Sequence, residues 1–366
     1  MGKNRLSILV DLDRLKDLNT GLGQVAAFFG EEISKAEYER FKFTLLVPGK
    51  FKGYFGNLVD YEVVSLKRRY FPFLCKKYDL WYTIHQDSAH FPSDKSTPYL
   101  LTINDLNFLG EKSPAKAKIR LEKLQKKVDR ATAITVISKF TEGEVRNHLQ
   151  IGETPIHVIY CGVKVKRFDN VPRPLFAPEG ELLFSVGVVQ MKKNYQVLIG
   201  FMQQLPPSYK LIIAGNKSSA YADELQYKIT ELGLQDRIFL PGIISEEDKF
   251  WMYNHCKAVL FPSRFEGMGF PPVEAMRFGK PVFASTYSSI PEVSEDHAYY
   301  WENFEPDQMA KFFLQSIDEF YKNPTLPAIL IKHSQKFTWE VNLKAYLALF
   351  ETIVGHNNQE SGSINT

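Results

Sequence analysis

The sequence predicts an α/β protein of two similar halves, each a parallel sheet covered by helices on both faces. Three observations carry this. The 366 residues exceed what one hydrophobic core usually organises. Short, continuous apolar runs alternate with helix-like segments, the pattern of strands buried on both faces. The series breaks at a proline-bearing stretch, Asp169 to Pro178, and then starts again.

In the first half, Leu6 to Val10 is the opening strand. Thr20-Gly21-Leu22-Gly23 then reads as a loop entering a helix that continues through Phe29. Further strands are expected at 43–47, 61–64, 80–84, 99–103 and 133–137. The second half repeats the plan at 182–186, 210–214, 238–240, 258–261 and 281–284. Gly187, Gly215 and Gly242 fall at strand ends, where open α/β sheets bind ligands. The expected domains are 1–168 and 169–337, with the interdomain linker at 169–178. A closing helix is expected near 338–354, and residues 355–366 form a polar tail expected to be disordered.

Composition narrows the setting. Cys75, Cys161 and Cys256 are scattered, which argues against a disulfide framework or zinc ribbon and fits a reducing cytoplasm. The basic start, Met1 to Arg5, is followed by only Leu6 to Val10 before Asp11, too short for a signal peptide. No apolar run approaches the roughly 18–20 residues of a membrane span. Residues 1–164 carry 26 Lys and Arg against 19 Asp and Glu, whereas the remainder has 19 against 23. The cations concentrate at Lys67 to Lys77, among aromatics, and at Lys112 to Arg130. Both are either solvated faces or contacts for anionic lipid headgroups, on the inner face of the plasma membrane. No nucleic-acid recognition motif accompanies them, so no nucleic-acid partner is expected.

The chemistry concentrates between Phe261 and Val282. Val259 to Phe261 is a buried strand end, and Gly267 and Gly269 allow a tight turn and close backbone approach to a ligand. Pro271 and Pro272 suit a first helical turn, and Gly279 with Pro281 stops the helix. Strand, glycine turn and helix N-terminus together make an anion site. Glu266, on the turn, can reach ligand hydroxyls; Glu274, inside the helix, can accept from a diol such as a ribose. Each alone is equally an ordinary helix-start acid.

Glu266 and Glu274, with seven residues between them, resemble the E-x7-E signature of retaining glycosyltransferases of family 4, which have the GT-B fold of two Rossmann-like domains facing across a cleft. Ser285 and Ser288 to Val293 match the Ser…Pro-Glu-Val run that follows it. The resemblance implies that Glu266 contacts the donor sugar, Glu274 the ribose, and the backbone around Met268, Gly269 and Phe270 the sugar and diphosphate. Ser185 to Asn194 is similar to the phosphate segment, with Gly187 at the strand end and Lys193 on its lysine. There an ammonium stabilises the departing diphosphate. Gly21 and Gly23 resemble the first-domain glycine loop abutting the same diphosphate, though a plain helix-start turn explains them as well. Gly242 and Ile243 look like the segment lying against the nucleotide base. The closing helix crosses back onto the first domain in that family.

On the acceptor side, His85 stands at a strand end and is a candidate to orient the sugar or an acceptor hydroxyl. Thr102 to Leu109 resembles an Ile-His-Asp-Leu segment, which makes Asn104 and Asp105 acceptor-side candidates; a helix cap explains Asp105 equally. Asn104 replaces the histidine and cannot act as a base. Val188 stands where the family usually has arginine, and Gln24 where arginine often follows the glycine loop. Asp11-Leu12-Asp13 looks like a metal-binding Asp-x-Asp motif, but the resemblance needs no metal, and no cofactor is expected.

The resulting expectation is a retaining, metal-independent hexosyltransferase that moves a sugar from a UDP- or GDP-sugar to a glycan or lipid-linked acceptor in surface polysaccharide or glycolipid synthesis. It would be cytoplasmic, with peripheral membrane contact. The alternative is a non-catalytic sugar-nucleotide-binding subunit that supports an active partner. A dinucleotide oxidoreductase is disfavoured, since no Gly-x-Gly-x-x-Gly follows either opening strand.

Overall fold

In the computed structural model the described residues are 5–18, 20–65, 76–92 and 94–362, with side chains through 355. Most of the basic-aromatic segment Lys67–Lys77, Cys75 included, lies outside them. The chain forms two compact units: residues 1–162 with 338–366, and residues 163–337.

The first unit holds a seven-stranded parallel sheet in the order β3-β2-β1-β4-β5-β6-β7. Its strands are β1 (Leu6–Asp11), β2 (Phe41–Val47), β3 (Asp60–Val63), β4 (Leu80–Thr83), β5 (Tyr99–Ile103), β6 (Ala133–Val136) and β7 (Ile156–Val158). The second unit repeats the order with six strands, β10-β9-β8-β11-β12-β13, again parallel. These are β8 (Glu181–Val186), β9 (Tyr209–Ala214), β10 (Ile238–Gly242), β11 (Ala258–Phe261), β12 (Val282–Ser285) and β13 (Tyr299–Trp301). In each sheet the strand order reverses beside the opening strand, between β1 and β4 and between β8 and β11. That is the switch point at which loops diverge and leave a crevice.

Apolar alternation sets the packing. In the second unit Leu183, Leu211, Ile213, Leu260 and Phe283 face one helical layer, and Phe184, Ile212, Val259 and Val282 face the other. In the first unit the closing helix, Trp339–Gly362, completes the core. Tyr346 lies tilted against Tyr82 at 4.9 Å and meets Phe29 edge-on at 5.5 Å, while its hydroxyl lies 3.2 Å from Thr102 and Thr135. Phe350 closes over Phe41 and Phe43.

Two boundaries differ from the sequence reading. Residues 169–178 are not a free linker, because Ala177 is buried in the second core and Val171 and Phe176 pack against it; the passage between units falls at Gly162 and Val163. The segment expected as a disordered tail is helical to Gly362, since nothing in Gly355 to Gln359 forbids continuation of the helix.

Candidate functional site

The site in the second unit grows from three strand ends. After β8, Gly187 takes φ +151° and its amide bonds the Ala214 carbonyl at 2.9 Å. After β9, Gly215 takes φ +142°, and a Cβ there would lie 2.0 Å from the Gly187 oxygen. Two bare backbones therefore touch where side chains would block them. A short turn, Met191–Lys193, ends on left-handed Asn194 and folds Lys193 back over Gly187.

Lys193 is largely buried, and its ammonium lies 2.6 Å from Glu266 Oε1 and 5.0 Å from the centre of the Phe261 ring. Glu266 is itself heavily constrained. Ser263 Oγ donates to its Oε1 at 2.6 Å, its amide donates to Ser288 Oγ at 3.1 Å, and Ser289 Oγ donates to its carbonyl at 3.0 Å. A charge pair held this way in a partly dry turn is costly to leave unpaired, so each partner keeps the other in place. Gly269, at φ +81°, caps the helix Phe270–Arg277, and Pro271 and Pro272 occupy its first turn.

Glu274 lies on that helix. Tyr253 Oη donates to its Oε2 at 2.6 Å, and the Lys249 ammonium is 3.5 Å from Oε1. Burial, with the Glu274 charge beside it, holds the Tyr253 phenol well above its ordinary value, so it remains a donor. Burial alone would lower Lys249, but Glu274 and Glu246 outweigh it and raise it. Lys249 and Tyr253 escaped the sequence reading because they sit on another helix, Glu246–His255, more than twenty residues away. Their one sequence signal is that a half-buried carboxylate needs partners.

Met268 is buried, Phe270 is half-buried, and Gly242 ends β10 at φ +87°. Ile243 beside it is 64% exposed, an apolar surface on which a flat ring can rest. Val188, at the position of the missing arginine, is 41% exposed. Among the described residues of this turn, Arg264 and half-buried Lys192 are the nearby cations in sequence.

The first unit corrects several expectations. His85 does not sit on an open rim: its side chain is 1% exposed. Its Nε2 lies 2.9 Å from Asp13 Oδ1, and its Nδ1 accepts the Asp87 amide at 3.1 Å. Both nitrogens are engaged within the protein, and His85 holds Asp13 in place. Asn104 is also buried, its Nδ2 donating to the Ile84 carbonyl at 3.1 Å and its amide donating to Gln86 Oε1 at 3.0 Å. It ties the loop after β4 to the end of β5. Asp105 remains half-buried, with Oδ1 accepting the Asn107 amide at 3.0 Å as a turn cap.

The glycine loop divides. Gly21 is open, with no atom within 4 Å of where a Cβ would stand, whereas a Cβ on Gly23 would meet the Asp17 carbonyl at 1.9 Å. Thr20 caps the helix Gly21–Ile33 by accepting the Gly23 amide at 3.2 Å.

Asp11 and Asp13 form a buried acidic pair rather than an exposed Asp-x-Asp. Burial, reinforced by the Asp13 charge, raises the Asp11 carboxyl to about 6. Burial would also raise Asp13, but the His85 hydrogen bond and charge, with Lys16, hold it below the ordinary range. Ser88 Oγ donates to Asp11, and the Asp13 amide donates to Asp11 Oδ1 at 3.0 Å.

Comparison with known proteins settles the family of the second unit. Residues 167–337 match the Glycosyl transferases group 1 family. The second unit belongs to it. The chain, with its two parallel-sheet Rossmann-like units, has the GT-B fold of the solved structures that it resembles over most of its length. One is Alr3699/HepE from Anabaena, solved with UDP and glucose: TM-score 0.70, 20% identity, covering 94% of this chain and 99% of that one. Another is a sucrose-phosphate synthase from Thermosynechococcus elongatus: TM-score 0.76, 18% identity, covering 96% and 100%. Among characterised relatives, the serotype-specific mannosyltransferase WbdA of Escherichia coli is 26% identical over 253 residues, 65% of this chain and 30% of WbdA. The O-antigen chain mannosyltransferase B of Escherichia coli is 27% identical over 233 residues, 59% of this chain and 60% of that protein. The chain thus spans about a third to three-fifths of the length of these relatives.

Proposed function

We propose that this protein is a nucleotide-sugar-dependent glycosyltransferase that builds a surface polysaccharide. The observation that carries the reading is the buried Lys193–Glu266 pair at the β8–β11 switch point, with Glu274 held ready on the next helix. The donor diphosphate would lie along Gly187 and the amides of Met268 to Phe270, its ribose hydroxyls on Glu274 and its base against Ile243. As the sugar–phosphate bond breaks, charge grows on the phosphate oxygens, where a fixed ammonium is worth about 3 kcal/mol or more. Lys193 supplies it, and Glu266, positioned by Ser263, Ser288 and Ser289, holds the sugar hydroxyls.

Retention follows if the departing diphosphate takes the acceptor proton on the face it leaves. No metal is then needed, because Lys193 and backbone amides carry the charge. Relatives named as O-antigen mannosyltransferases make mannose the sugar to try first and a growing glycan the acceptor. The exposed Val188 favours a second reading, a sugar-nucleotide-binding subunit without turnover of its own.

The deciding experiment is calorimetric titration with UDP, GDP and ADP in excess EDTA, followed by turnover of the matching sugar nucleotide. We expect one nucleotide to bind selectively, Glu274→Ala to weaken it about tenfold or more, and Glu266→Ala to spare binding but abolish transfer. Failure of all three nucleotides to bind would reject the donor site; binding without hydrolysis or transfer across donors would favour the subunit.

Peripheral membrane contact belongs to this reading. No helix among the described residues is long and apolar enough to cross a membrane. On the helix Pro114–Val128, Arg120 is drawn to Asp87 and Lys127 to the Gln86 and Ser88 carbonyls, which leaves Lys116, Lys118, Lys123 and Lys126 on the exposed face. We expect sedimentation with anionic vesicles at low salt and release at high salt. Absence of binding at low salt would remove the membrane from the reading.

A further inference from the structure

We infer that Glu295, His297 and His333 form a divalent transition-metal site in the second unit, suited to Zn²⁺. Each offers one ligand atom, and the three atoms lie within 4.8 Å of one another. They come from two places in the chain. Glu295 and His297 flank the turn between the helix Ile290–Ser294 and β13, and His333 lies on the helix Leu326–Ser334.

His333 is the observation that points to a ligand. It is 3% exposed, and its Nε2 lies 2.9 Å from the Val293 carbonyl. That contact requires the proton on Nε2 and leaves a lone pair on Nδ1. Nδ1 has no hydrogen-bond partner and faces Glu295 Oε2 at 3.6 Å. A buried polar atom without a partner is uncommon in a folded protein. An imidazole whose other nitrogen is fixed by a carbonyl is the arrangement in which histidine binds metals. The His297 ring stacks on it with centres 4.1 Å apart, and Asp296 Oδ1 lies 2.8 Å from His297 Nδ1. Two imidazoles and one carboxylate select a borderline cation such as Zn²⁺ over Mg²⁺ or Ca²⁺, which prefer all-oxygen shells.

Glu295 has φ +48° and ψ −133°, a backbone that side chains rarely adopt, so its placement is held against strain. At present the Lys336 ammonium bridges both its oxygens at 2.9 Å. A metal ion must take one of those oxygens from Lys336. Lys336 is thus a built-in competitor, and removing it should strengthen the site. The helix whose C-terminus carries Glu295 begins beside Ser289, which donates to the Glu266 carbonyl. A bound ion would pin the far end of the segment that holds Glu266.

The test is titration of untagged, EDTA-stripped full-length protein with Co²⁺, read by its visible absorption and then displaced by Zn²⁺. We expect one equivalent to give a saturable band that Zn²⁺ bleaches. His297→Ala, on a partly exposed side chain that folding can spare, should weaken Co²⁺ about tenfold or more. Lys336→Met should tighten it severalfold. No saturable band, or a band unchanged in His297→Ala, would overturn the inference. Nucleotide binding in EDTA is measured separately, so the loss of one result leaves the other standing.

Discussion

In the proposed function, Lys193 and Glu266 make one contact serve as both scaffold and chemistry. Each neutralises the other in a partly dry turn, and an incoming diphosphate would compete with Glu266 for the same ammonium. The buried acids of the first unit behave differently and make a pH prediction. A carboxyl whose folded value exceeds its unfolded one stabilises the fold below its unfolded value, near 3.8, and loses that contribution as pH rises through its folded value, here about 6. Asp11→Asn removes the cost of charging it. The variant should therefore gain on the wild type between pH 4 and 7 by on the order of 2–3 kcal/mol, measured by urea unfolding across that range. Asp13 acts in the opposite sense, with stability lost as pH falls below its ordinary value, so its window lies below that of Asp11. A stability difference that stays flat from pH 4 to 7 would refute the assignment.

At the scale of elements, the glycines at the ends of strands and helices answer two different demands. Gly215 needs both its φ of +142° and the absence of a Cβ that would sit 2.0 Å from the Gly187 oxygen. Gly233, which follows the helix Ala220–Glu231, needs only its φ of +65°, with open space around it. Gly215→Ala should cost more than about 2 kcal/mol and Gly233→Ala about 1. Exchange of the β8 and β9 amides would report both, and equal costs would mean that the Gly187 turn yields to the new methyl.

The same elements show what the sequence reveals. Eleven strands announce themselves as wholly or largely apolar runs, β3 the weakest of them with Asp60 and Glu62 in it; β7 and β13 do not, being only three residues long. Glu266, Glu274 and Lys193 stand out because glycines, prolines and acids surround them in a recognisable order, but the partners that hold them, Lys193 with Glu266 and Tyr253 and Lys249 with Glu274, come from distant parts of the chain. The setting of His85 and Asn104 is not legible: the sequence places them at strand ends, but only the packing of Asp13, Asp87 and Gln86 around them shows that they are buried and already bonded.

At the scale of the whole molecule, the closing helix belongs to the first unit although the second intervenes in the chain. Its Tyr346 and Phe350 fill the aromatic cluster of Phe29, Phe41, Phe43 and Tyr82. A chain ending at Phe337 should leave that cluster wet, so the β1, β2 and β4 amides should lose exchange protection while β8, β9 and β11 keep theirs. Retained protection in the first sheet would show that its core closes without the helix.

This order of segments also sets a timetable during synthesis. The first unit emerges before the second but lacks its closing helix until residues 339–362 are made. At about 5–20 residues per second the intervening unit occupies the ribosome for roughly 10–35 s. The second unit can complete its core in that interval, whereas the first must wait with its aromatic groove unfilled. Of the two units, the one made earlier is finished later, and it is the one that chaperones have more time to hold.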